Sequence, residues 1–350
     1  MNMMQRIARN GNRLIALLLV LILTTAIAAC GQAQPGGASA SADTASSQAT
    51  STESATTPEA TPEATPAATP EATPIAKPGK DRAGNAISVP AEVKTIVSLA
   101  PSFTEMLIAM GLADRIVAIE QNAAALVGVK AEWPVFDMMA PDTEKLLALK
   151  PDVLFASPMS TGGGEDPFKP LRDAGICVVY VPSSDSIQGI MDDLAFVGAV
   201  AGVPEAAQKL VDGMKSEIDA ISAIGKTITE KKSVYFEIAA APSIYSFGSG
   251  VFLNEMIELI GARNVMADQK SWIAVTDEVA VAADPDVILT NVSYLPDPVG
   301  EIKARAGWSA MKAVKDGQVY QIDNMASSLP DHNIVKALRQ MAEAVYPDLY

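Results

Sequence analysis

Between Glu205 and about Thr229 the chain sets Ala207, Leu210, Val211, Met214, Ile218, Ile221 and Ile228 at helical spacing, with lysines and aspartates on the intervening positions. This pattern predicts one amphipathic helix of some 20 residues or more, roughly 30 Å long at about 1.5 Å per residue. Such a rod is long enough to cross from one folded half of a chain to another. A stiff single connection of this kind also limits the two halves to small relative motions.

On either side of it, short β-branched runs alternate with longer periodic ones, the pattern of βα units around parallel sheets. The strands expected before it are Thr95 to Leu99, Ile116 to Ile119, Val153 to Ala156 and Cys177 to Val181. Helices are expected at Ser102 to Met110, Asp142 to Leu149, Pro167 to Ala174 and Ser186 to Ala201. After it come strands at Val234 to Ile238, Val287 to Thr290 and Val319 to Ile322, with helices at Phe252 to Ile260, Thr276 to Ala282 and Asn333 to Ala344. The reading is an α/β chain of two lobes, 81–203 and 231–350, joined by the helix of 204–230. Ser102-Phe103-Thr104-Glu105 has capping-box spacing, either simply starting its helix or presenting a helix N-terminus to a ligand.

The first 80 residues have a different character. Arg6, Arg9 and Arg13 precede an apolar run from Leu14 to Leu23, and Ile27-Ala28-Ala29-Cys30 has the form of a small-residue cleavage site with an accepting cysteine. The run is shorter than the roughly 20 residues that span a bilayer, so 1–29 reads as a lipoprotein signal peptide and Cys30 as the lipidated (palmitate-bearing) residue. The protein is expected at the outer face of the cytoplasmic membrane, extracellular or periplasmic according to the envelope. From Cys30 to Lys80 the chain is rich in Ser, Thr, Ala, Pro and Gly and cannot bury enough apolar surface to order itself. Within it Thr57-Pro58-Glu59-Ala60 and its repeats, down to Thr73-Pro74-Ile75-Ala76, suggest a semi-rigid spacer.

The net charge of -15 becomes more negative once the signal arginines are removed, which disfavours nucleic acid, so none is expected as a partner. With Cys30 lipidated, Cys177 has no partner for a disulfide and reads as an inert core thiol. No dinucleotide or phosphate-binding glycine motif occurs, Gly162-Gly163-Gly164 lacks the lysine of a phosphate loop, and the lone His332 leaves no catalytic triad to assemble. The chain does not read as an enzyme.

The runs Thr95 to Glu105, Met110 to Val117, Glu144 to Asp152, Gly261 to Asn264, Asp284 to Ile288 and Trp308 to Tyr320 occur in an order that resembles the helical-backbone class, class III, of ABC-importer substrate-binding proteins. These carry cobalamin, haem and ferric siderophores, and the resemblance covers nearly all of Ala86 to Tyr350. It implies two Rossmann-like lobes joined by the long helix, with a cleft between them for a chelate of iron or cobalt. It also implies a monomer with no cofactor of its own, working with a permease dimer and its ATPase subunits.

The resemblance further places Glu144 and Glu278 on the outer faces of the lobes, paired with permease arginines. Both also fall in the first turn of an expected helix, where a carboxylate stabilises the helix dipole. Met138, Ser157, Tyr245 and Trp272 match ligand-facing positions. Three of these are aromatic in the cobalamin-binding relatives, so Met138 and Ser157 are departures that weaken the case for cobalamin itself. Met138 and Met139 would line an adaptable apolar pocket or pack in the core. His332, before the last helix, is compatible with Met/His ligation of a haem iron opposite Met138 or Met139, or with a solvated or capping role. Arginine is scarce after the signal, which favours a neutral or mildly charged chelate over a highly anionic one. The other reading of the same sequence is an adhesion or interaction lipoprotein with no transported ligand.

Overall fold

The computed structural model describes residues 77–350; the signal segment, Cys30 and nearly all of the spacer lie outside the described residues. Lys77 to Lys80, assigned above to the end of the spacer, already join the folded part: Lys77 Nζ donates to the Ala91 carbonyl at 2.9 Å and Lys80 bridges to Ala86.

The first lobe runs β1 (Ile96–Leu99), α1 (Pro101–Ala109), β2 (Ile116–Glu120), β3 (Val135–Phe136), α2 (Thr143–Leu149), β4 (Val153–Ala156), α3 (Lys169–Asp173) and β5 (Cys177–Tyr180). Its five strands lie parallel in the order β3-β2-β1-β4-β5. Every residue of β1, β4 and β5 is buried, as expected of parallel strands covered on both faces. Two helices follow, α4 (Ile187–Ala201) and α5 (Pro204–Gly225).

The second lobe runs β6 (Ser233–Glu237), β7 (Tyr245–Phe247), α6 (Phe252–Leu259), β8 (Arg263–Asn264), β9 (Trp272–Ala274), α7 (Asp277–Ala283), β10 (Val287–Thr290), α8 (Pro298–Ala304), α9 (Lys312–Lys315), β11 (Val319–Gln321), α10 (Asn324–Ser328) and α11 (Ile334–Val345). Four strands form a parallel sheet in the order β11-β10-β6-β8, while β7 and β9 pair antiparallel as a separate ribbon. No helix among the described residues is long and apolar enough to cross a membrane.

The amphipathic stretch forms α5. Ala207, Val211, Met214 and Ile221 are buried in one apolar core that also holds Ile96, Phe155 and Leu194 of the first lobe and Val234, Phe236 and Leu338 of the second. Smaller cores lie on the far faces of the sheets, around Leu146 and Phe168 in one lobe and Tyr235 and Trp308 in the other. Each sheet is thus sandwiched between helices, and the inner helical layer is shared. Cys177 is buried in the shared core, and burial pushes its thiol up to about 11, consistent with an unreactive side chain.

Two local expectations change. The helix stops at Gly225 rather than Thr229, where it crosses the C-terminal end of α6 at backbone distance. A Cβ on Gly225 would lie 2.1 Å from the Leu259 carbonyl oxygen and 2.8 Å from the Gly261 nitrogen. The capping box at Ser102 does not form. Pro101 at the first helical position starts α1 one residue earlier, Ala100 is its cap without a side-chain bond, and Ser102 is buried inside the helix.

The two glycines of α5 predict opposite substitutions. Gly225→Ala meets fixed backbone and costs about 1–3 kcal/mol. Gly213→Ala, exposed and with nothing within 4 Å of its Cβ position, gains about 0.5–1 kcal/mol from helix propensity. Urea unfolding of the two variants beside the parent checks the sign of each.

Candidate functional site

In open parallel sheets, ligands bind outside the carboxyl ends of the strands, where neighbouring strands are continued in opposite directions. Here those points lie between β1 and β4, paired Leu99 to Ala156, and between β6 and β10, paired Glu237 to Thr290. One hydrogen bond joins the two strand-exit sides directly: Asn333 Nδ2, just before α11, donates to Glu105 Oε2 of α1 at 2.7 Å.

At the second lobe's exit, the chain leaving β6 is gripped from two sides. Tyr245 N–H donates to the Ala239 carbonyl at 3.1 Å, and Ala240 N–H donates to the Tyr294 hydroxyl at 2.7 Å. Tyr294 stands four residues beyond β10 with its side chain half exposed. In the β7–β9 ribbon Tyr245 lies opposite Ala274 and Phe247 opposite Trp272, so by strand alternation all four share one face. Trp272 is half-buried and packs edge-on to Phe247, with ring centroids 6.0 Å apart. The structure therefore brings Tyr245 and Trp272 together and adds Tyr294. Sequence reasoning missed Tyr294 because it lies in an irregular loop; its only signal is an aromatic residue shortly after an apolar strand.

The first lobe's exits carry methionines. Met138 is half-buried and Met139 exposed beyond β3, so neither belongs to the core; Met139 N–H donates to Asp137 Oδ1 at 2.8 Å. Met159, also exposed, follows β4 and was not anticipated. Ser157 sits at the β4 exit as expected, but it is buried and its hydroxyl accepts from Met159 N–H at 3.3 Å, so it shapes the turn. Beside it the buried Ser160 hydroxyl has no hydrogen-bond partner.

His332 lies in the inter-lobe contact. Its Nδ1 is buried without a hydrogen-bond partner, 3.9 Å from Asp331 Oδ1, and burial lowers its pKa, leaving it neutral at physiological pH. Asp331 is fully buried, and burial together with the adjacent Glu105 carboxyl holds it well above the usual carboxylate range. Its Oδ2 is buried without a hydrogen-bond partner. No group of three His, Cys, Asp or Glu side chains is placed to hold a metal ion among the described residues.

Glu144 and Glu278 are both exposed in the first turns of α2 and α7, whose caps are Asp142 and Thr276. The Glu278 carboxyl is held below its usual value by its own backbone N–H and by the Thr276 hydroxyl. Neither glutamate is paired with a cation among the described residues. Arginines are mostly engaged elsewhere: Arg82 with Asp193, Arg115 with the Val93 and Ala201 carbonyls, Arg172 with Asp166, and Arg339 with Glu217. Arg305, near the β6 exit, makes a two-pronged pair with Glu237 at 2.7 and 3.1 Å and a second pair with Glu301.

The chain is 35% identical over 272 residues to the uncharacterized ABC transporter substrate-binding lipoprotein YvrC of Bacillus subtilis, a match covering 77% of this chain and 85% of that protein. It is 27% identical over 278 residues to a cobalamin-binding protein of Halobacterium salinarum, covering 76% and 73%. The solved structure of a possible iron-binding, periplasmic solute-binding protein from Staphylococcus epidermidis matches with a TM-score of 0.64 and 29% identity, over 73% of this chain and 99% of that one. The model of the periplasmic binding protein family matches residues 96–326, and with the two parallel-sheet lobes this establishes that the chain belongs to that family.

Proposed function

We propose that the protein is the extracytoplasmic receptor of an ABC importer, anchored through lipidated Cys30, which holds a metal chelate between its lobes and delivers it to a permease dimer with ATPase subunits. The observation that carries this reading is the make-up of the two strand-exit regions. Tyr245, Trp272 and Tyr294 belong to the second lobe's side, and Met138, Met139 and Met159 follow strands of the first, and in this reading they face one another across the ligand. Aromatic faces stack on a flat ring system, and flexible thioethers adapt to its irregular edge. Ser157 shapes the turn under Met159, and His332 stands where the lobes meet. The relatives support the same class, one being a cobalamin-binding protein and another a possible iron-binding one.

Receptor and permease meet through Glu144 and Glu278. Exposed carboxylates on both lobes can take charge-assisted bonds from arginine and fix orientation over a two-fold partner. Transport energy comes from ATP hydrolysis in the partner subunits, so no catalytic group is required of this chain.

Chelate binding is read from tryptophan emission. Trp133 and Trp308 are buried at 8% and 0% exposure, while Trp272 is half-buried at the proposed site. Cyanocobalamin, haemin or a ferric siderophore bound at micromolar Kd or tighter, about -8 kcal/mol, should quench Trp272, and Trp272→Phe should abolish the quench. Failure of every chelate to bind removes the chelate reading.

The double change Glu144→Ala with Glu278→Ala should abolish uptake by cells while leaving chelate affinity within twofold of the parent. Uptake at the parent rate would dismiss the docking role.

A further inference from the structure

We propose that this cleft selects its chelate by charge, admitting an uncharged flat macrocycle and excluding one with ionised carboxylates, and that Tyr294 is a ligand contact that positions it. The proposal rests on the receptor function given above and narrows its ligand class.

In the proposed function the cleft lies at the carboxyl ends of the parallel strands of both lobes. In the four residues that follow each of β1 to β6, β8, β10 and β11, there is no lysine or arginine. The same segments hold Asp137, Asp268 and Asp323, and β2 and β6 themselves end in Glu120 and Glu237. Asp323 is answered by Lys336 at 2.6 Å, and Glu120 is buried against Asn122. Asp137 has no cation partner among the described residues.

Arg305, the arginine near the β6 exit, is withdrawn from any ligand. Glu237 takes it at 2.7 and 3.1 Å, Glu301 at 3.1 Å, and its guanidinium lies 4.1 Å from the centre of the Trp308 ring. Its side chain is 7% exposed, and with two carboxylates to one guanidinium the group is net negative. These charges are close enough to Tyr294 to act on its hydroxyl. The uncapped start of α1 offers the opposite sign, but a helix terminus is equivalent to only about half a charge. An ionised carboxylate entering beside these strand exits loses water without gaining a cation from them, and the exposed Lys270 lies two residues before Trp272 of the β7–β9 ribbon.

What the space does offer is apolar surface. Met139, Met159 and Tyr294 are exposed by 38%, 38% and 51%. The Ala240 N–H bond to the Tyr294 hydroxyl fixes that ring before ligand arrives, so stacking on it sacrifices little side-chain freedom.

Two matched probe pairs test the charge rule on the purified receptor: cyanocobalamin with its monocarboxylic acid derivative, and haemin dimethyl ester with haemin. In whichever pair binds, the member bearing free carboxylate should bind at least tenfold more weakly. Equal or tighter binding of the carboxylate member overturns charge selection and leaves the receptor reading standing; no binding by any of the four overturns both. Tyr294→Ala should weaken the bound uncharged probe at least tenfold. Tyr294→Phe, which keeps the ring and loses its tether, should weaken it a few-fold. Parent affinity in Tyr294→Ala with an unchanged melting temperature overturns the contact.

Discussion

The apolar stripe of α5 is buried against both lobes at once, and the remaining architecture depends on that double contact. Val211, Met214 and Ile221 each contribute about 1.5–3 kcal/mol by leaving water. The helix packs on α4 on one side and on α6 and α11 on the other, within a core that also holds β1 and β6 residues, so the lobes are parts of one core. Two flexible domains on a linker would have separate cores. Here a hinge motion that parted the lobes would expose inner-layer residues on both sides of the helix, which restricts opening to small rigid shifts.

A fixed frame of this kind suits a cleft built from strand exits. The sheet ends are held by buried β-branched runs, while the exits themselves carry little regular structure and are free to differ in chemistry. The hydrogen bonds found there serve placement: Ser157 fixes the turn at Met159, Asp137 fixes Met139, and Ala240 fixes Tyr294. The first two fix the backbone that carries an exposed methionine, and the third fixes the Tyr294 side chain itself. This is how an exposed methionine or tyrosine becomes a surface of defined shape.

The parallel strands and the long helix were legible in the sequence because continuous apolar runs and 3.6-residue spacing are local signals. The pairs β7 with β9 and β6 with β8 were not, since two- and three-residue strands such as Arg263–Asn264 exist only through their partners. Ser102 misled for a related reason: its spacing to Glu105 fits a cap, but Pro101 occupies the first helical position and Glu105 is taken by Asn333, 228 residues away. Spacing alone could not say that Met139 is exposed or that the Ser157 hydroxyl serves its own turn. The pairing of Arg305 carries no local signal, because one of its two carboxylate partners, Glu237, lies on a strand 68 residues away.

The contact between Glu105, Asp331 and Asn333 bears on how such a receptor gives up its cargo. It bridges the lobes at their exits, where a ligand would have to leave, and there burial and the Glu105 carboxyl beside it hold Asp331 well above the usual carboxylate range. The Ile187 N–H bond to Glu255 at 2.8 Å joins α4 to α6 as a second tie between the lobes. A molecule tied at these points and through a common core has little reason to open on its own. In the proposed function, the distortion that frees the ligand is then supplied from outside, by a permease that grips Glu144 on one lobe and Glu278 on the other. Both glutamates sit in the first turn of a helix that packs on its own lobe's sheet, so a displacement applied there moves a whole lobe rather than a loop.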